Sequence, residues 1–184
     1  LALDHGDLQA ALLHVDAAEV HGQNATTAYI RGNISAVKGQ LKQALYHYSD
    51  CLTLDGAHIR ARLNRSSVHM GLDDARKALD DAEVLLDLAP QLAVGRVRKG
   101  DAHMHLAEWE EASKEFKHVL EQAPHHTHAL TQLAACFMSM DRAERAEAPL
   151  NEALRQSPDH AAAWHQRGLY YMHFNKIDNA LSDF

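Results

Sequence analysis

The sequence predicts an all-α protein made of consecutive helix pairs, and three columns of residues with one common period support this fold class. Residues that stop helices recur every 34 positions, at Gly22, Gly56, Pro90, Pro124 and Pro158. Alanine recurs with the same period, at Ala10, Ala44, Ala78, Ala112, Ala146 and Ala180. Small residues form the third column, at Gly32, Ser66, Gly100, Ala134 and Gly168. A period of about 20 to 50 residues is typical of solenoids, in which similar units stack along the chain.

Each 34-residue unit has the pattern of two amphipathic helices, A and B. In the third full unit we expect helix A over 93–106 and helix B over 109–122. Antiparallel helices approach closely only where side chains are small, so the columns of Gly100 and Ala112 predict the contact points. Larger side chains are expected to fill the seam between the helices: Phe116, Val119 and Leu120 here, and Tyr48 and Leu52 in an earlier unit.

This pattern resembles the tetratricopeptide repeat family over essentially the whole chain. That family has a bulky residue at position 4, a small one at 8, aromatic residues at 11 and 24, Ala at 20 and Pro at 32. The first two full units depart from it, with Ala28 and Arg62 at the bulky position. The last unit carries Trp164, Gly168, Tyr171, Ala180 and Phe184. The resemblance implies a right-handed superhelical solenoid whose A helices line a concave groove.

The period also predicts how the chain is divided. Four complete units are expected at 25–58, 59–92, 93–126 and 127–160. A partial repeat that is mainly helix B, with Gly6-Asp7-Leu8 near its start, precedes them at 1–24, and a partial repeat cut within helix B follows at 161–184. Because both ends fall inside repeats, we expect the native array to continue in at least one direction.

Composition excludes several classes of function. The net charge is −7, with 46% hydrophobic and 23% charged residues. An acidic chain argues against duplex nucleic acid as the partner, since that binding needs a broad cationic surface. No apolar run approaches the roughly 18 residues that span a bilayer, so no membrane span is expected. Cys51 and Cys136 lie far apart in apolar helical patterns, which favours buried free thiols; a cytoplasmic location is expected.

The resemblance also implies which residues line the groove, because in this family the groove is formed mainly by positions 2, 5, 6, 9, 12 and 13 of each A helix. Partner contacts are therefore expected from Asn33, Arg60, Asn64, Met70, Arg98, Asp101, Met104, His105, His128, Gln132, Met138, His165 and Met172.

Two features of these residues allow more than one interpretation. Met70, Met104, Met138 and Met172 lie 34 residues apart, and they either offer an adaptable apolar surface to a partner or fill gaps between adjacent A helices. The A helices are rich in cations whereas the B helices are acidic. Arg62, Arg65, Arg96 and Lys99 either make the groove attractive to an acidic peptide or pair with carboxylates of the B helices.

The chain partly resembles the tetratricopeptide co-chaperones that clamp an acidic C-terminal tail. Asn33, Asn64 and Arg98 match three of the five clamp positions in register. Tyr29 and Val94 stand where the clamp has lysine. Without these ammonium groups the clamp loses most of its attraction for carboxylate.

No pattern in the sequence indicates catalysis, a cofactor or a metal site. There is no Gly-rich phosphate loop and no nucleophile elbow, so we do not expect an enzyme. The densest histidine group, 125–128, falls at a turn and lacks the spacing of metal ligands. His69 and His103 occupy the usually aromatic position 11, so they are expected to be packed rings.

The sequence therefore predicts an interaction scaffold that binds an acidic or apolar segment of a protein or peptide partner in the groove. Three further functions are compatible with the pattern: the recognition arm of a longer enzyme such as a tetratricopeptide-bearing glycosyltransferase, a structural subunit of a larger complex, or a co-chaperone that binds a chaperone tail. A fold of this kind does not by itself choose among them.

Overall fold

The computed structural model describes residues 24–184, which contain ten α-helices, one short 3-10 helix and no strand. The partial repeat expected at 1–24 lies outside the described residues, apart from Asn24. The chain divides into two compact units, Leu1–Gln91 and Leu92–Phe184, which are named here the N-terminal unit and the C-terminal unit.

The described part of the N-terminal unit consists of two helix pairs. Helix α1 (Ala25–Val37) packs against α2 (Leu41–Leu54), α3 (Ile59–Gly71) packs against α4 (Ala75–Leu88), and α2 also contacts α3. Asn24 starts α1 with a capping box, because its Oδ1 accepts a hydrogen bond from the Thr27 N–H at 3.0 Å. A buried cluster in this described part consists of Ala28, Ala44, Tyr48, Cys51, Leu52, Ala61 and Val68.

The C-terminal unit continues the same alternation. Its helices are α5 (Ala93–His105), α6 (Trp109–Gln122), α7 (Thr127–Ser139), α8 (Glu147–Gln156), α9 (Ala161–His173) and α10 (Ile177–Asp183). Each helix packs against the next one in the chain. The main core is centred on α7, whose residues 133, 134, 136 and 137 join Phe116 of α6 and Tyr170 of α9 in one buried cluster.

The predicted all-α fold class is confirmed. The A helix expected over 93–106 runs over Ala93–His105, and the B helix expected over 109–122 has those bounds. Cys51 and Cys136 are free and buried, as predicted. The exact division into 34-residue repeats stays a prediction.

One B helix departs from the pattern because it contains a proline. Where the other B helices begin, the chain forms a 3-10 turn over Ala143–Arg145, and α8 starts only at Glu147. Pro149 lacks the N–H that would bond to the carbonyl four residues earlier, so a helix beginning at 143 would be interrupted. Starting at Glu147 places Pro149 in the first turn, where no N–H is needed.

The two helices of a pair meet where a small residue of helix A faces a side chain of helix B, and the two sizes compensate. A Cβ at Gly100 would lie 2.8 Å from the Phe116 ring, and a Cβ at Gly168 would lie 2.6 Å from the Phe184 ring. Where helix A has Ser66 or Ala134 instead, the residue at the position of Phe116 is smaller, Ala82 or Leu150. The predicted contact points on helix A are thus confirmed at Gly100 and Gly168, and Ala112 of the predicted helix B column is fully buried.

We predict that Gly100→Ala lowers the free energy of unfolding by about 1–3 kcal/mol, because its methyl group would clash with the buried Phe116 ring. Gly56→Ala is the control, since the nearest atom to a Cβ there is a backbone oxygen 3.8 Å away. Chemical denaturation measures both. Adding Phe116→Leu to Gly100→Ala should recover part of the lost stability. If the double variant is no more stable than Gly100→Ala, the clash is not the cause of the loss.

The turn between helices A and B requires a left-handed backbone at the same position of every described pair. The residues there are Gly39 (φ 72°), Asp73 (60°), Ala107 (57°), Asp141 (56°) and Asn175 (56°). Gly, Asn and Asp tolerate this conformation better than other residues do. Ala107 is the one residue of this column that is not Gly, Asn or Asp, so it adopts the left-handed backbone at a steric cost.

Ala107→Gly is expected to raise the free energy of unfolding by about 0.5–1 kcal/mol, because glycine adopts the positive φ without steric cost. As a control, Ala162→Gly in the first turn of α9, also exposed, should lower it or leave it unchanged. A loss of stability in Ala107→Gly, measured by the same denaturation, would show that the turn is not strained.

Candidate functional site

The N-terminal unit has a pocket of about 500 Å³ between its two A helices, α1 and α3. It is lined by Tyr29, Asn33, Ala36, Val37, Leu41, Tyr48, Asn64, Ser67 and Val68. We call it the Asn33–Asn64 pocket. Two of its residues, Asn33 and Asn64, were predicted from the sequence to contact a partner, and the structure brings them together.

The polar part of the pocket is a chain of three hydrogen-bonded side chains. The Tyr48 hydroxyl donates to Asn33 Oδ1 at 2.8 Å. Asn64 Nδ2 donates to the same Oδ1 at 2.8 Å and lies 3.4 Å from the Tyr48 oxygen. Burial raises the pKa of the Tyr48 phenol, so it stays a neutral donor. Within the described residues, Asn33 Nδ2, Asn64 Oδ1 and the hydroxyl of the lining residue Tyr29 make no hydrogen bond, which leaves an amide donor group, an amide acceptor and a phenol for a ligand.

The rest of the lining is apolar. Leu41 and Val68 form walls, Tyr29 packs at 6.2 Å between ring centroids from Tyr48, and Val37 is 57% exposed at the rim. None of the nine lining residues is charged near neutral pH. The pocket therefore combines an apolar surface with two amides, a combination suited to a peptide backbone that carries an apolar side chain.

The sequence did not predict most of this lining. Tyr48 was expected only as a seam residue, and Val37, Leu41, Ser67 and Val68 were not singled out. One signal was available: at the position of Tyr48 the other units have Ala82, Phe116, Leu150 and Phe184, none with a hydroxyl. A hydroxyl in a column that otherwise only packs indicates an added role.

The remaining predicted residues of the N-terminal unit lie outside the pocket. Arg60 is exposed in the first turn of α3, and Met70 is half-buried near its end. Their role in partner contacts stays a prediction.

In the C-terminal unit, the predicted residues differ in their burial and contacts. Arg98 is half-buried; its Nε is shielded from solvent, and it makes no hydrogen bond or ion pair within residues 24–184. Asp101 Oδ1 lies 2.8 Å from His128 Nε2, a contact that joins α5 to α7. His105, His165 and Met172 are exposed, and Gln132 is half-buried.

The methionine ladder is divided between its two interpretations. Met104 and Met138 pack against the core cluster of the C-terminal unit, which favours the gap-filling interpretation for these two. Met104 Sδ also lies 3.1 Å from Cys136 Sγ, whose thiol stays protonated because burial raises its pKa to about 12. Met172 is 52% exposed and free to contact a partner.

The four A-helix cations that allowed two interpretations pair with carboxylates of the B helices, which favours the second interpretation for them. Arg65 binds Asp81 through two hydrogen bonds, Nε to Oδ2 at 2.8 Å and Nη2 to Oδ1 at 2.6 Å, and Arg62 Nη1 adds a third at 3.2 Å. One repeat later, Arg96 and Lys99 lie 3.2 and 3.4 Å from Glu115. These four cations are engaged in holding helix A to helix B.

Asp81→Asn is predicted to lower the free energy of unfolding by about 2–4 kcal/mol, because Asp81 is only 3% exposed and its loss leaves two partly buried guanidinium groups without their counter-charge. The neighbouring variant Asp80→Asn changes an exposed carboxylate and should have an effect under about 0.5 kcal/mol. Equal effects of the two variants in urea denaturation would rule out a structural role for the pair.

Several histidines have structural roles. His69 and His103 are buried, as predicted, and burial lowers the pKa of His69. His58 and His126 begin α3 and α7, where each Nδ1 accepts a hydrogen bond from a backbone N–H three residues later, at 3.1 and 3.2 Å. In residues 24–184 no three His, Cys, Asp or Glu side chains are grouped so that they could hold a metal ion.

The three clamp positions matched in the sequence are not equivalent in the structure. Asn33 and Asn64 meet in the N-terminal unit, whereas Arg98 belongs to the C-terminal unit. Tyr29, at the position of the first clamp lysine, places an aromatic ring in the Asn33–Asn64 pocket.

Among the described helices, none is long and apolar enough to cross a membrane.

Comparison with known proteins agrees with this architecture. Residues 106–167 match the family model for the tetratricopeptide repeat. No curated protein sequence matches the chain. The match identifies residues 106–167, about a third of the chain, as tetratricopeptide repeat sequence, and the described helix pairs on either side of it have the same architecture.

Solved structures of low sequence identity share the fold. MamA from Desulfovibrio magneticus is 16% identical with a TM-score of 0.78, and the match covers 89% of this chain and 92% of that one. YrrB, described as a TPR protein with an unusual peptide-binding site, is 20% identical with a TM-score of 0.71, over 92% and 88% of the two chains. The first TPR of Spaghetti, bound to the HSP90 peptide SRMEEVD, is 24% identical with a TM-score of 0.62, over 65% and 94%.

Proposed function

We propose that this chain is a protein-interaction scaffold whose N-terminal unit binds an extended segment of a partner in the Asn33–Asn64 pocket. The observation that carries the proposal is the pair of amides, 2.8 Å apart, at the edge of an apolar pocket. Each peptide unit has one N–H donor and one C=O acceptor. Asn33 Nδ2 can bind the carbonyl and Asn64 Oδ1 the N–H, since neither atom has a partner among the described residues.

The fold supports the same function. Stacked helix pairs present extended surfaces that bind other proteins, and tetratricopeptide repeats are interaction modules more often than enzymes. YrrB is described as having a peptide-binding site, and its fold is shared over most of this chain. The remaining predicted groove residues are proposed as further partner contacts along the A helices.

Peptides selected from a displayed library on the whole chain test this proposal. Asn64→Ala should weaken binding of the best peptide about tenfold, because one hydrogen bond to the peptide in a largely apolar pocket is lost. Gln43→Ala removes another exposed carboxamide of the same unit, on α2, and should leave binding unchanged. Calorimetry measures both affinities. Peptides that bind Asn64→Ala as tightly as the unchanged chain would overturn the assignment of the pocket.

A second candidate function, capture of an acidic C-terminal tail, is favoured by Arg98. A half-buried guanidinium group without a counter-charge in the described residues attracts a carboxylate. The Spaghetti domain, which shares the fold, is bound to a peptide ending in EEVD. For this function, a Glu-Glu-Val-Asp peptide should bind and Arg98→Ala should abolish that binding; binding that survives Arg98→Ala would exclude it.

The array could also serve a larger protein or assembly, either as the recognition arm of an enzyme or as a structural subunit of a complex. Affinity purification of the full-length protein separates these roles from that of a peptide-binding adaptor. One stable stoichiometric complex would indicate a structural subunit, whereas many weakly bound partners would indicate an adaptor.

A further inference from the structure

We infer that the Asn33–Asn64 pocket recognises an uncharged internal peptide segment through one large apolar side chain, and that Tyr48 is a positioning residue for this recognition. This inference rests on the proposed function and names the chemistry of its ligand. It differs from tail capture, in which a free carboxylate is the recognised group.

The first step is the absence of charge in the lining. A carboxylate that enters a pocket loses part of its hydration, and it needs a cation or several donors in return. Among the nine lining residues there is no Lys, Arg or His, and the available donors are two uncharged groups, the Asn33 amide and the Tyr29 hydroxyl. Of the three arginines on α3, Arg62 and Arg65 are engaged with Asp81, and Arg60 is exposed in the first turn and is not among the lining residues. A free peptide terminus would therefore gain little here.

The second step is the shape and chemistry of the walls. The apolar lining runs from the exposed rim residue Val37 to Leu41 and the buried Val68, and the Tyr29 ring adds to it. A space of about 500 Å³ lies within the range of small-ligand sites, which are lined mainly by apolar side chains. A leucine-sized or larger side chain would remove this surface from water while the two amides hold its backbone.

The third step concerns Tyr48. The same position holds Phe116 and Phe184 in two other units, each against a glycine of helix A, so packing requires the ring but not the hydroxyl. The Tyr48 hydroxyl, which the two phenylalanines lack, donates a hydrogen bond to Asn33 Oδ1. With Oδ1 fixed by two donors, the amide plane of Asn33 is set and its Nδ2 faces away from them. The hydroxyl therefore orients the group that a ligand would meet.

Three small probes of the full chain separate these features. N-acetyl-leucine N-methylamide carries an apolar side chain between two uncharged amides. N-acetyl-alanine N-methylamide lacks most of that side chain, and N-acetyl-leucine ends in a free carboxylate. Binding is followed through the side-chain amide resonances of Asn33 and Asn64 in nitrogen-15 correlation spectra. We expect the leucine amide to bind with a Kd of about 1–10 mM, as suits so small a ligand.

The alanine amide should bind about tenfold more weakly, because it buries fewer methylene groups, and the leucine acid should not bind more tightly than the leucine amide. Two variants separate the two parts of the site. Tyr48→Phe should weaken the binding of the leucine amide and of the alanine amide about threefold to tenfold each. The ratio of the two affinities should stay unchanged, since only the orientation of Asn33 is affected. Val37→Ser should reduce the ratio of the affinity for the leucine amide to the affinity for the alanine amide. Thermal unfolding checks that both variants stay folded.

Tighter binding of the leucine acid would overturn the uncharged class of ligand while leaving the proposed function intact. Equal binding of the leucine and alanine amides would overturn the apolar anchor, and unchanged affinities in Tyr48→Phe would overturn its positioning role. If no probe shifts the Asn33 and Asn64 resonances up to about 50 mM, the inference fails. The peptides selected on the whole chain then decide separately whether the pocket binds any partner.

Discussion

The close approach of the two helices in each pair is the constraint on which the rest of this structure depends. At Gly100 the backbone of helix A comes so near the Phe116 ring that a single methyl group would not fit. Because packing in protein interiors leaves few voids, the residue on one helix sets the size allowed on the other. The pairs Gly100 with Phe116 and Ala134 with Leu150 are two solutions to the same space. This contact fixes the register of A against B and thereby decides which side chains face a neighbouring repeat.

Ion pairs stabilise this register, and they use charges that a partner would otherwise meet. Asp81 binds two arginines of α3, and the same relation recurs at Glu115 and at Asp183, which binds Arg167 through two hydrogen bonds. Charges used within a pair are not available to a partner. The lining of the Asn33–Asn64 pocket contains no charged residue, although the helix that supplies Asn64 carries three arginines, two of which bind Asp81.

The candidate site shows how a structural column can acquire a second role. Tyr48 fills the space against Gly32 as Phe116 does against Gly100. Its hydroxyl also donates a hydrogen bond to Asn33 Oδ1. The cost of burying a hydroxyl is offset by a hydrogen bond to an amide that also binds Asn64. In this way one repeat interface becomes distinct from the others without any change in the packing rule that the repeats share.

The sequence by itself determined the all-α fold, the bounds of α5 and α6 to within one residue, the contact columns, the packed rings of His69 and His103, and the buried free thiols. These follow from local propensity and from a period repeated along the chain, which a single sequence displays. Only the tertiary structure decided that Arg65 and Arg62 share Asp81, that Met104 and Met138 belong to the core, and that Tyr48 joins the site. Each of these depends on the direction of a side chain across a helix interface, and spacing gives the face of a helix but not the partner it meets. The position of Pro149 likewise delayed the start of α8, because a missing N–H acts on the backbone and not on the hydrophobic pattern.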